Sequence, residues 1–171
     1  MIVVSTLDNA EQAFKDHKPG YVVSILDDSD PVPPVFEAVP PENHVRLSED
    51  CSRQTNAGQA GARCARLIEL AEKWRAAPEP KRAILIHCHK GVSRSMAAAY
   101  ILMCAIDNRR CEKDIAGALR KAAPHADPNL MLVSEADALL SREDRMVEAI
   151  LDLCPSCGAV DNPIVTLPLG A

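Results

Sequence analysis

Nowhere do these 171 residues run to the 18 or so consecutive apolar positions that a membrane-spanning helix requires. The opening Met1-Ile2-Val3-Val4 lacks the basic segment and longer apolar core of a secretory leader. Basic residues are outnumbered: 19 Lys and Arg stand against 24 Asp and Glu, for a formal net charge of −5. That balance argues against broad nucleic-acid binding, which needs a basic face, and against a strongly anionic membrane surface. The seven cysteines, an odd number without framework spacing, fit a reducing compartment. Aromatic residues make up only 3% of the chain, and the single tryptophan, Trp74, is expected to pack rather than to serve as a substrate platform. These absences lead to the expectation of a soluble, cytoplasmic protein with no nucleic-acid partner and no stable membrane association.

What is present is a folding sequence, 47% hydrophobic, long enough for one α/β domain and short for two. The expectation is a single domain over 1–171, with about 154–171 as a C-terminal tail or strap. Ile2–Val4 reads as a short buried strand. A capping signal at Ser5–Asp8 then opens a helix with Leu7, Ala10 and Phe14 on one face, stopped at Lys18-Pro19-Gly20. Tyr21–Leu26 is a strong second strand. From Asp27 to Pro41, three acids (Asp27, Asp28, Asp30) and five prolines exclude helix and central strand. That stretch reads as a semi-rigid surface connection, with a loop beside a site as the alternative. His44–Leu47 is a third strand. Cys64, Leu67, Ile68, Ala71 and Trp74 mark a helix face, and Ala83–Ile86 a further strand. Ile115–Ala122, the segment opened by Pro128 and Asn129, and Met146–Leu151 complete the helices. The two arginines between Ser141 and Arg145 point either to substrate or to solvent. The fold expected is α/β: a central, mostly parallel sheet of about four to five strands flanked by helices.

One stretch carries chemistry. His87-Cys88-His89-Lys90-Gly91-Val92-Ser93-Arg94-Ser95 lies between the apolar strand and the Ala-rich run Met96–Ile106, which reads as a buried helix. A tight loop so placed cradles an anion. Backbone N–H groups of His89, Lys90, Gly91, Val92 and Ser93 curl about one point, and the positive end of the helix dipole faces it. Arg94 closes the cradle with a two-pronged fork suited to phosphate. Positive potential stabilises thiolate over thiol, and cysteines in such sites fall to pKa values of roughly 3.5–7.5. Cys88 is therefore a candidate nucleophile, equipped to form a phosphocysteine without metal or cofactor.

His87-Cys88-x5-Arg94-Ser95 resembles the signature loop of the cysteine-dependent protein tyrosine phosphatases. Length favours the compact, dual-specificity-like branch, and the order of elements is similar to that of a bacterial group of tyrosine phosphatases. The low-molecular-weight tyrosine phosphatases and arsenate reductases carry a similar loop near the N-terminus, whereas here it sits mid-chain. The resemblance covers roughly Ile84 to Leu140, and the N-terminal part in outline. It implies a phosphatase-type loop between a strand and a buried helix, with Cys88 attacking phosphorus and Arg94 holding its oxygens. Ser95 would assist the departing thiolate when water breaks the phosphocysteine; its other reading is a helix cap. Pro128-Asn129 also resembles the dual-specificity enzymes, where the asparagine braces the loop, so Asn129 joins His87 as a supporting residue.

Ester cleavage also calls for a proton donor to the departing oxygen, typically a 10²–10⁴-fold contribution. In the family resembled, that donor is an Asp on a loop some tens of residues before the cysteine. Asp50, 38 positions upstream, is the first choice, followed by Glu49, Asp28 and Asp27. For each, the alternative is a solvated surface carboxylate. Lys90 stands where these phosphatases usually carry a small residue, which favours a more anionic substrate such as a phosphoinositide, or strengthens the thiolate. The reading is a phosphomonoester hydrolase acting on a phosphorylated protein or small phosphorylated molecule. The alternatives are a phosphoinositide phosphatase, a phospho-ligand binding module without turnover, and a rhodanese-type sulfurtransferase. Substrate preference and oligomeric state stay open. Cys51, next to the proposed acid, is a candidate for an oxidative disulfide with Cys88. Cys154-x-x-Cys157 is half a zinc site without a second pair, and is expected to be two ordinary cysteines in a turn.

Overall fold

A computed structural model describes residues 1–48, 57–157 and 163–169. The elements are β1 (Ile2–Thr6), α1 (Ala10–His17), β2 (Tyr21–Leu26), β3 (His44–Ser48), α2 (Ala57–Ala76), β4 (Ile84–Cys88), α3 (Arg94–Ile106), α4 (Glu112–Ala122), α5 (Leu130–Leu139), α6 (Arg145–Leu151) and β5 (Val165–Leu167). The strands form one sheet in the order β3-β2-β4-β1-β5. All pairs are parallel except β1 with β5. This is the mostly parallel α/β sheet that the sequence led us to expect.

The strand sequences explain their places. β2 and β4 are buried along their whole length, the pattern of central strands covered on both faces. β3 alternates buried and more exposed residues, as an edge strand does. Ile2, Val4, Val23, Ile25 and Ile86 face one core with α2, α3 and α5. Val3, Val22 and Leu85 face the other, under Ala10, Ala13 and Phe36. The Ala-rich α3 is buried from Ser95 to Ala105, and its small side chains let it run through the middle of the larger core. Trp74 packs as anticipated, 6% exposed, its indole N–H donating to the Arg82 carbonyl at 2.8 Å. Among the described residues no helix is long and apolar enough to cross a membrane.

Several local expectations need correction. α1 starts at Ala10, a turn later than the capping signal suggested; the Thr6 hydroxyl takes the Asn9 N–H at 3.1 Å just ahead of it. Pro128 lies outside α5 instead of in its first turn. Asn129 is the cap, its side-chain oxygen accepting from Leu132 N–H at 3.1 Å. The proline-rich stretch holds two short 3₁₀ turns, Pro34–Ala38 and Pro41–Asn43, which bury Phe36 to 2% exposure. Arg142 does not extend into solvent; its side chain is 11% exposed. It turns inward to Glu112 at 2.8 Å and the Cys104 carbonyl at 3.0 Å, and Arg145 joins the same carboxylate at 3.4 Å. In the C-terminal tail, residues Val165–Leu167 add the fifth strand against β1.

Candidate active site

β4 ends at Cys88, and its neighbours in register are Thr6 on one side and Ile25 on the other. α3 begins six residues later at Arg94. Between them the chain turns through Gly91, whose φ of +68° is open to glycine and strained for other residues. A Cβ there would lie 3.2 Å from the Ser5 carbonyl group and the Thr6 nitrogen, so the loop rests directly on the end of β1. Two distant segments hold it. Leu7 N–H donates to the His89 carbonyl at 3.3 Å, while Asp127 and Asn129 N–H donate to the Val92 and Ser93 carbonyls at 3.0 and 3.3 Å. Asn129 therefore meets the loop through its backbone while its side chain caps α5.

Cys88 is 2% exposed, and its sulfur lies 3.1 Å from the hydroxyl of Ser95, itself fully buried. The hydroxyl can rotate to accept from a thiol or to donate to a thiolate. Burial pushes the Arg94 guanidinium pKa down, and the charges of Asp27 and Asp30 push it back up. The Asp30 carboxylate bonds the His89 ring at 2.8 Å and accepts from Asp27 N–H at 2.9 Å. Asp27, Asp30 and His89 bring metal-type donor atoms within 4.8 Å of one another, beside the Arg94 cation. Of the two readings of this stretch, surface connection or loop beside a site, its first residues follow the second: the end of β2 delivers acids to the Cys88–Arg94 loop. Asp28 lines a neighbouring cavity. Glu49, Asp50 and Cys51 lie outside the described residues. Cys154 and Cys157 are exposed, and Cys157 N–H donates to the Pro124 carbonyl at 3.0 Å.

Behind the loop, His87 is fully buried and linked through one hydroxyl to a second imidazole. Ser24 Oγ lies 2.7 Å from His87 Nε2 and 2.8 Å from His44 Nε2. One hydroxyl carries one proton, so at least one ring donates to it. His87 Nδ1 is buried with no hydrogen-bond partner among the described residues. An orphaned N–H is rarer in protein interiors than an under-satisfied acceptor. We therefore assign the His87 proton to Nε2, donating to Ser24, whose O–H donates on to His44. Burial, then the neighbouring His44 and His89, push the His87 pKa down to about 3, and burial with Arg46 pushes His44 down too. Phe36 covers both rings, with centroids 5.2 and 5.7 Å away. Sequence reading passed over Ser24 and His44, and named Asp30 among the acids after the second strand without giving it a partner; a lone polar residue inside the apolar run Tyr21–Leu26 was the available signal for Ser24.

The chain has the fold of the cysteine-dependent tyrosine and dual-specificity phosphatases. Among solved structures, that of Cydia pomonella PTP-2 phosphatase superposes with a TM-score of 0.58 at 20% identity, covering 80% of this chain and 84% of that one. PTPMT1, solved in complex with PI(5)P, gives 0.61 at 14% identity, over 83% and 91%. DUSP15 gives 0.59 at 15% identity, over 90% and 92%. No protein-family model and no curated sequence matches the chain.

Proposed function

We propose that this protein is a phosphomonoester hydrolase acting through a phosphocysteine, with a phosphorylated protein or small phosphorylated molecule as substrate. The observation that carries the reading is the Cys88 sulfur 3.1 Å from a fully buried Ser95 hydroxyl, at the start of a helix whose first residue is Arg94. A module that merely captured phosphate would have no use for a nucleophile paired with a hydroxyl. In the first step the Cys88 thiolate attacks phosphorus, the P–O ester bond breaks, and the departing oxygen takes a proton from a carboxylic acid. Arg94 and the backbone N–H groups of residues 89–93 hold the three equatorial oxygens as charge spreads over them. In the second step water attacks phosphorus and gives its proton to the same carboxylate. The S–P bond breaks, and Ser95 donates a hydrogen bond to the thiolate that leaves.

Asp27 and Asp30 support the Arg94 charge, and Asp30 also holds His89. We assign both to orienting the loop and keep Asp50 as the proton donor, with Glu49 and Asp28 behind it. The phosphoinositide reading draws support from Lys90, exposed on the loop, and from the lipid-headgroup complex of the similarly folded PTPMT1.

The test is para-nitrophenyl phosphate turnover between pH 5 and 8 with EDTA present. Wild type should turn over, Cys88→Ser should not, and Asp50→Asn should lose on the order of 10²-fold or more. An unaffected Asp50→Asn moves the acid to Glu49 or Asp28. No wild-type turnover removes the reading in favour of ligand capture.

A further inference from the structure

We propose that a cavity at the outer edge of the sheet binds a second phosphate of the substrate, so that the preferred substrates are small molecules phosphorylated at two positions. The proposal rests on the phosphatase reading above and specifies the substrate class of that site.

The cavity measures about 400 Å³ and is walled by Leu47 and Ser48 at the end of β3, by Asp28, and by Arg46, Arg63 and Arg66. Among the described residues, three arginines thus line it against one carboxylate; from α5, outside the lining, the Glu135 charge acts on Arg63. Backbone carbonyls fix two of the three forks. Arg66 Nη1 donates to the Arg46 carbonyl at 2.6 Å, and Arg63 Nη1 to the Ser48 carbonyl at 3.3 Å. Arg63 Nε is buried with no hydrogen-bond partner among the described residues. A guanidinium has five N–H donors in a rigid fork, so each carbonyl leaves most of the fork for an anion. Like charges gathered around one cavity repel, and a bound dianion turns that repulsion into attraction.

Sheet register ties the cavity to the nucleophile. Cys88 pairs with Ile25, and Ile25 pairs with Leu47, so the cavity wall stands two strands from the cysteine. Two strand spacings are about 10 Å. Asp28 joins the two places: it lines the cavity, while the charges of Asp27 and Asp30 in the same turn act on Arg94. One molecule with phosphates on the order of 10 Å apart spans both. Pyrophosphate is too short.

The probes are hexane-1,6-diol bisphosphate and hexyl phosphate. With wild type, the bisphosphate should show kcat/KM at least about tenfold above the monophosphate, the lower end of what one charge-assisted hydrogen bond is worth. In Arg46→Gln/Arg66→Gln, both exposed positions outside the core, that ratio should fall toward one. Binding of the same two probes to Cys88→Ser, measured calorimetrically, should show the same preference without turnover. A wild-type ratio near one, or a ratio that the double variant leaves unchanged, overturns the proposal. If para-nitrophenyl phosphate and both probes are inert with wild type, the phosphatase reading fails by itself. The calorimetric comparison then still decides the cavity: a bisphosphate preference supports it, and equal affinities overturn it.

Discussion

Acid should loosen the strand that presents Cys88, and His87 should be the reason. Its ring is fully buried, bonded to Ser24 and held neutral, with its pKa pushed from the ordinary 6.5 to about 3. In the unfolded chain the same ring titrates at its ordinary value. Between those two values the unfolded chain binds a proton that the folded chain refuses. The stability contributed by the neutral ring is therefore complete above pH 6.5 and is lost as pH falls toward 3. Each pH unit within that window is worth ~1.4 kcal/mol, so about 2 kcal/mol is gone at pH 5 and about 3 at pH 4.5. His44, also shifted down, adds in the same direction. The measurement is urea unfolding of wild type and His87→Gln at pH 7, 6, 5 and 4.5. Glutamine keeps a donor for Ser24 and removes the titration. Carboxylates are common to both proteins, so the wild-type curve should fall more steeply by about 2 kcal/mol between pH 7 and 5. Parallel curves would refute the reasoning, since the ring would then titrate alike folded and unfolded. Nitrogen shifts of the His87 ring at pH 5 supply an independent check: they should report a neutral imidazole protonated at Nε2.

Gly91→Ala should cost about 1–3 kcal/mol, because a side chain at φ +68° is strained and its Cβ would meet β1 backbone at 3.2 Å. Thermal melting measures the first effect, and a fall in para-nitrophenyl phosphate turnover larger than the population of unfolded protein explains measures the displaced loop. Ser95→Ala should slow the second chemical step by about 10–100-fold, the worth of one charge-assisted hydrogen bond. Rapid-quench kinetics should then show a burst of nitrophenol equal to the enzyme, and a first step slowed equally with no burst would count against the assigned role.

The sheet was legible because its strands are short, apolar and well punctuated, and because parallel strands separated by helices leave few topologies. The proximity of Cys88 and Ser95 at the start of α3 was legible for a related reason: loop and helix are contiguous, so spacing carries that part of the geometry, while the roles came from the resemblance. Supporting residues brought from elsewhere were not. Asp30 reaches His89 across 59 positions and Ser24 reaches His87 across 63. Such contacts depend on strand order, which periodicity does not encode. Asn129 was noted in the sequence, but its two separate jobs, one by backbone and one by side chain, follow only from where α5 starts. Arg142 shows the opposite error: a charged residue in a turn suggests solvent, yet Glu112 lies buried behind it.

The clamping of the loop from both sides has an electrical consequence. A trans peptide points its C=O and its N–H in opposite directions. The carbonyls of His89, Val92 and Ser93 are each turned outward onto an amide of another segment. The N–H groups of Lys90, Ser93 and Arg94, across those same three peptide planes, are thereby turned the other way. The scaffold at residues 5–7 and 127–129 thus fixes the polarity of the loop before any anion arrives. In the proposed reaction, dipoles already aligned would need no reorganisation as charge develops on a phosphoryl group. Substitutions that tilt β1 or the start of α5 would rotate those dipoles while leaving every residue of the loop in place.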